Sequence, residues 1–423
     1  MAESAAQTRR QDILLITLLG VAHGLSHFFH LVIPSLFAWI MPEFGTSFAQ
    51  MGSVMTVFFI TSSLGQAASG VLVDRFGARI CLYAGVALLA SAGLLLAGAQ
   101  GYAWLFPAAA LAGLGNSVFH PADYSIMNRA VHGDRLPFAF SIHSIVGNIG
   151  WALAPVMMVA AASATGSWRA AAASAGVVSI LVLLALVLNH AVFDRTSGLD
   201  GLSEQKDKRA EALGKADGQS STLASSLAFL KIAAVWLCFL FFFCNSFAFG
   251  ILQNFAPSIF RAVYDLTLEV STASLTAYIL GSTAGILAGG WVAKAFTRSE
   301  RVIACSMTMS AVMALILASE LLGSMSVLPL MALMGLGVGI ATPSRDMLIR
   351  GTCKSLLGAG SFGRVYGFTY CGMDVGQTLA PLVAGPLLDA QHFSLALVMV
   401  AVLQVCAVAT AMGAGREQLH LQH

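Results

Sequence analysis

The chain has 423 residues, 57% of them hydrophobic and only 10% charged, with a mean hydropathy of +0.81, whereas soluble domains carry charge on roughly a quarter of their residues. Water is therefore not its main solvent, and at about 20 apolar residues per bilayer crossing the length holds about a dozen crossings joined by short loops. A net charge of +2 gives no electrostatic footprint for nucleic acid, and seven cysteines without a CxxC pair indicate neither a disulfide framework nor a metal knuckle.

The segment from Met1 to Gln11 is polar, with Arg9 and Arg10. The apolar run behind it exceeds a signal-peptide core of about 7 to 15 residues, so it reads as a first membrane helix rather than a cleaved leader. Spans are expected over 13–40, 50–73, 80–99, 104–127, 137–161 and 168–192. In the first, His23, His27 and His30 stand at i, i+4 and i+7, within an arc of about 60° on one face. Ionisable groups inside apolar helices are costly and hence functional candidates. Imidazole titrates near neutral pH, which suits a substrate or proton ligand. Structural histidines packed between helices are the second reading, and a metal site, which would need ligands from another span, is the third.

After the second span stands Gly70-Val-Leu-Val-Asp74-Arg75-Phe-Gly77-Ala-Arg79. A carboxylate at a helix end, a glycine turn and adjacent guanidiniums can form charge-assisted bonds to a neighbouring bundle and hold one face closed. In the fourth span Asn116, His120 and Asp123 share a face, and Pro121 is placed to kink the helix. Asn116, His120 and Asp123 are candidates for a substrate or proton site, and Asp123, expected in the inner half, is alternatively a structural ion-pair partner for Arg75 or Arg79. Gly147, Gly150 and Pro155 in the fifth span, with Gly376 and Pro381 in the eleventh, read as close-packing and bending positions where the two halves meet.

Residues 194–226 are rich in Lys, Glu, Asp, Gly and Ser and cannot bury enough apolar surface to pack as a domain; they read as a cytoplasmic linker. Further spans follow over 233–260, 270–293, 302–322, 327–349, 365–388 and 394–413. The aromatic run Phe239 to Phe243 reads as lipid-facing. Gln253, at the position matching His30, and Asn254 are hydrogen-bonding candidates for substrate or for a neighbouring helix. In the tenth span Arg345 stands beside Asp346 and is a candidate partner for Asp346, Asp123 or a bound anion. Asp374, with Tyr370 and Gln377 on its face, falls near the bilayer midplane and is the leading candidate to carry a transported proton.

The halves repeat. Pro34-Ser35 recurs as Pro257-Ser258, Gly113 to Gly115 with Pro121 recurs as Gly335 to Gly337 with Pro343, and Gly150 to Pro155 recurs as Gly376 to Pro381, at offsets of 223, 222 and 226 residues. Duplication of a six-helix unit explains three matches in one order at nearly one spacing. Lys and Arg are retained on the cytoplasmic side. Arg75, Arg79, Arg129, Arg135, the linker cluster, Lys294, Arg298, Arg301, Arg350, Lys354 and Arg364 share one side, against Arg169 and Arg261 near the other. Both termini are therefore expected in the cytoplasm.

The loop from Gly70 to Arg79 resembles the signature of the major facilitator superfamily, with Ala78 replacing one of its final basic residues. Ser26-His27-Phe28, Ser47 to Gly52, Gly113 to Pro121 and Gly147 to Pro155 are similar to the fosmidomycin-resistance type of efflux protein within it. Ala122 before Asp123 and His30-Leu31 in the first span depart from that type, and the second half matches it poorly. The resemblance implies proton-driven export of small molecules.

The fold expected is thus an all-α membrane protein of twelve transmembrane helices in two pseudo-symmetric bundles, residues 1–193 and 227–423, joined by the linker 194–226. The function expected is secondary active transport of a small polar or charged solute by alternating access, with a central site from spans 1, 4, 7 and 10 and Asp374 from span 11. Uptake of an organic anion or chelate is the alternative, and a transporter-like sensor is the alternative of another class. Protons and lipid are the expected partners, with the chain a monomer in a bacterial inner membrane. No cofactor and no resident metal are expected. No nucleotide loop, nucleophile triad or zincin helix is present to support an ATP-driven pump or an intramembrane hydrolase.

Overall fold

The structure is a computed structural model describing residues 2–194, 228–296, 298–357 and 362–420. Among these residues helices are the only regular elements and there is no strand. That follows from the solvent, because in hydrocarbon each backbone N–H and C=O must be satisfied within its own segment. The first half comprises α1 (Ala2–Ser35), α2 (Phe37–Phe44), α3 (Phe48–Phe76), α4 (Ala78–Ala97), α5 (Tyr102–Asn116), α6 (Phe119–Ala130), α7 (Leu136–Thr165), α8 (Trp168–Leu188) and the short α9 (His190–Phe193). The second comprises α10 (Ala233–Tyr264), α11 (Leu268–Ala295), α12 (Ser299–Ser319), α13 (Val327–Leu357), α14 (Phe362–Asp389) and α15 (Phe393–His420).

Ten described helices are long and apolar enough to cross a membrane. With α5 and α6 taken as one broken crossing, and α14 as another, the order matches the twelve expected. The break falls at Ser117 and Val118, four and three residues before Pro121. Proline has no N–H to give the carbonyl of residue 117, and its ring crowds that carbonyl. Pro343, its counterpart in the second half, lies inside the continuous α13, so the repeat in sequence is not a repeat of the break. The expected linker lies outside the described residues apart from Asp194.

Within the first half α1 packs on α7, α4 on α8, and α3 on α5; within the second α10 packs on α14 and α15, and α11 on α13. Two expectations are corrected by this packing. Gly150 abuts the Gly24 backbone of α1, and Gly376 abuts Phe243 and Phe247 of α10, so these glycines close each bundle internally instead of joining the halves. Phe241 and Phe242 are buried, at 5% and 0% exposure, because α10 is sandwiched between α14 and α15; only Leu240 of that run is strongly exposed.

The halves meet through α3 on α14 and α7 on α11. Thr56 Oγ1 donates to the Thr378 carbonyl at 3.0 Å, and Thr276 Oγ1 to the Ala152 carbonyl at 2.9 Å. At the α3 N-terminus Ser47 and Gln50 form a capping box. Beyond it the carboxylate of Asp389, at the end of α14, accepts from the Phe48 and Ala49 N–H groups at 2.7 and 3.0 Å. Toward the other end of α3, Leu64, Val71 and Phe76 are exposed. The interface is thus fastened at the Asp389 end.

Candidate histidine and cavity site

Six titratable side chains from three helices converge in the first half. His23, His27 and His30 come from α1, His120 and Asp123 from α6, and His143 from α7. The imidazoles of His23 and His143 stack with centroids 3.6 Å apart, those of His23 and His27 lie 4.3 Å apart, and His120 meets His23 edge-on at 5.0 Å. Gly147 makes the convergence possible: a Cβ there would stand 2.9 Å from both His23 Nε2 and His27 Nδ1. The spacing that placed the α1 histidines on one face is borne out by this geometry.

Asp123 is fully buried. His143 Nε2–H donates to its Oδ2 at 2.9 Å, and His23 Nδ1 lies 3.7 Å from the same oxygen. The expected pairing with Arg75 or Arg79 is therefore corrected, because the side chain faces α1 and α7. Arg79 instead pairs with Asp194. Nearer the molecular centre, Asn116 Nδ2 donates to Ser62 Oγ at 2.8 Å, which leaves Asn116 Oδ1 to accept from His30 Nε2–H at 3.0 Å.

A cavity of about 200 Å³ lies between the halves, lined by Asn148 and Trp151 from α7, Asn245 from α10, Tyr278 from α11, Arg345 from α13 and Gln377 from α14. Trp151 joins it to the cluster, since His27 stacks on its indole at 4.1 Å. The expected lining is amended: the first half reaches this cavity through α7, with the α1 histidines one ring behind. Arg345 is bound to its neighbour, Nε and Nη2 each 2.9 Å from Asp346 Oδ1, and lies over the Phe242 ring at 4.8 Å. Gln253 is buried beside Gln377, 3.5 Å from its amide nitrogen. Asp374 is half-buried near the middle of α14 and faces Ser63 of α3 across the interface, outside the cavity lining. Tyr370 packs on Phe242 at 4.6 Å.

In the loop from Gly70 to Arg79, Gly77 adopts φ 84°, Asp74 and Arg75 are exposed, and among the described residues Asp74 forms no ion pair or hydrogen bond. Among the described residues, no bond from Asp74 to the opposite half is made. Sequence reasoning missed His143, Trp151 and Asp389. His143 precedes Gly147 by four residues and Gly150 by seven, the same helical face, and that register was the available signal.

Residues 17–381 match the family model of the Major Facilitator Superfamily. The chain belongs to that superfamily. Among its relatives the chain is 25% identical to the fosmidomycin resistance protein of Escherichia coli (strain K12) over 297 residues, 69% of this chain and 68% of that protein. It is 22% identical to an uncharacterised MFS-type transporter of Bacillus subtilis (strain 168) over 93% of this chain and 91% of the relative. Similar solved structures include a bacterial homologue of the human lysosomal transporter Spinster in an inward-facing, unoccupied conformation, with a TM-score of 0.74, 14% identity, and 97% and 98% of the two chains covered. A peptide transporter, POT, gives 0.70 at 16% identity over 95% of each chain. The superfamily fold of two helical halves around a shared cavity is therefore this chain's fold, and a membrane transporter is its broad function.

Proposed function

We propose that the chain is a proton-coupled secondary transporter that moves a small polar or charged solute by rocking its halves around the central cavity. The observation carrying this reading is the cavity itself, lined from both halves by amide, indole, phenol and guanidinium groups, with a titratable cluster one ring away at His27. Binding at the junction of two bundles is what alternating access requires. Asp374 carries the proton, being an acid near the middle of a crossing and on the surface where the halves slide past one another. The Gly77 end, with its basic loops, faces the cytoplasm of the inner membrane, and this conformation is open there, consistent with the unmade bond of Asp74 and the fastening at Asp389. Export is favoured by the similarity to the fosmidomycin resistance protein, and fosmidomycin is the first probe.

The test begins with a thermal-shift panel of fosmidomycin, other antibiotics and metabolites on purified protein. Stabilising solutes are then assayed in proteoliposomes for accumulation under a pH gradient and for counterflow without one. Gradient-driven accumulation and counterflow together support the reading. Binding without any exchange would make the protein a sensor and overturn it.

A further inference from the structure

The α1 histidines lacked a ligand partner in sequence, and α6 supplies one. His23, His27 and His120 each offer a ring nitrogen, and these atoms lie within 4.8 Å of one another. We propose that these three imidazoles bind a late first-row divalent cation such as Zn²⁺, with Asp123 and His143 orienting His23 from behind.

A tetrahedral zinc ion with Zn–N bonds of about 2.0 to 2.1 Å holds its ligand nitrogens about 3.3 Å apart. Sub-ångström movements of each ring close the present spacing to that value. Among the described residues His27 Nδ1 and His120 Nδ1 are buried without a hydrogen-bond partner. A buried polar atom left unsatisfied is costly, and two in one place beside His23 point to a shared ligand. Apart from Asp123, the ionisable groups acting on these three rings are the other histidines of the cluster, with no Lys or Arg among them, so a cation meets no opposing charge. Neutral imidazole donors without an array of oxygens select Zn²⁺, Co²⁺ or Ni²⁺ over Mg²⁺ or Ca²⁺.

The support behind the site has the form seen around metal-bound histidines, where a carboxylate accepts from the ring nitrogen that does not hold the metal. His23 Nδ1 lies 3.7 Å from Asp123 Oδ2, short of a hydrogen bond that ring movement on metal binding would close, and its Nε2 shares the space over Gly147 with His27 Nδ1. The rival triad of His23, Asp123 and His143 also lies within 4.8 Å, but His143 Nε2 is engaged with Asp123 at 2.9 Å. His27 and His120 are half-buried, and His27 stacks on Trp151, which lines the cavity.

The test uses the full chain in nanodiscs, stripped with a chelator, titrated calorimetrically with ZnCl₂ and spectroscopically with CoCl₂. One Zn²⁺ per chain and intense visible Co²⁺ bands of four-coordinate type are expected. His27→Gln and His120→Gln should each weaken Zn²⁺ binding at least as much as Asp123→Asn, for which the expected loss is about 10- to 100-fold. His190→Gln, at an exposed histidine of α9, should bind as the wild type does. Should a variant lose its size-exclusion profile, the wild-type Co²⁺ spectrum decides, with weak six-coordinate bands or none overturning the proposal. Absence of stoichiometric Zn²⁺ binding, or undiminished binding in His27→Gln and His120→Gln, overturns it as well. None of these readouts involves transport, so the site and the transporter reading fail separately.

Discussion

His27 and Asp374 offer two places for a proton, and their surroundings separate them. Asp374 stands where the halves meet, near Ser63, whereas His27 is packed inside one bundle against Trp151. Asp374→Asn mimics the protonated acid, so gradient-driven accumulation should collapse while exchange at equal pH persists. Retained accumulation in Asp374→Asn, with loss in His27→Gln or His30→Gln, would move the proton site to α1. Gly150 tests the packing beneath the cluster. A Cβ there runs into the Gly24 backbone, which cannot rotate away, so Gly150→Ala should cost about 1 to 3 kcal/mol, read as a lowered detergent unfolding midpoint. The α1 histidines were legible because i, i+4, i+7 spacing is a property of one helix. His143 left only its register with Gly147 and Gly150, a weak signal, since a lone histidine in an apolar run reads as packing until the partner helix is known.

Among elements, the pairing of α3 with α14 is where the proposed gate would act. Asp389 caps the first N–H groups of α3 from the other half, and a cap of this kind contributes about 1 kcal/mol, a factor of about five in a two-state equilibrium. Asp389→Ala should raise maleimide labelling of Ser258→Cys in the vestibule at the Asp389 end, whose volume is about 410 Å³; unchanged labelling would leave Asp389 with no part in the gate. The partners lie 341 positions apart in the chain, so no local pattern announced them. A second fastening on that face joins Glu43 to α8. Trp168 Nε1–H donates to Glu43 Oε2 at 2.5 Å, and Arg169 lies 2.6 Å from Oε1. The Trp168 bond first, then Arg169, hold the Glu43 carboxyl below its ordinary range against the opposing effect of partial burial. A depressed carboxyl stabilises the fold above its unfolded pKa, and that contribution is lost as pH falls through the lower folded value. Glu43→Gln should therefore unfold at a lower temperature than the wild type at pH 7, and the difference should shrink in acid below about pH 4. A difference independent of pH would assign the effect to packing.

For the whole molecule, composition and the recurring Pro-Ser, Gly-Leu-Gly and Ala-Pro segments made the helical membrane fold and its two halves legible, because both leave periodic marks in one dimension. The conformational state left no such mark, because it depends on which surfaces of the halves touch. Alternating access predicts that the Gly77 end samples two separations of the halves. Double electron–electron resonance between labels at Phe76→Cys and Phe296→Cys, both exposed at that end, in a background lacking the seven native cysteines, tests this most directly. Two distance populations are expected, the longer gaining weight in Asp74→Asn and losing weight in Asp389→Ala. A single distance that neither substitution shifts would contradict alternating access.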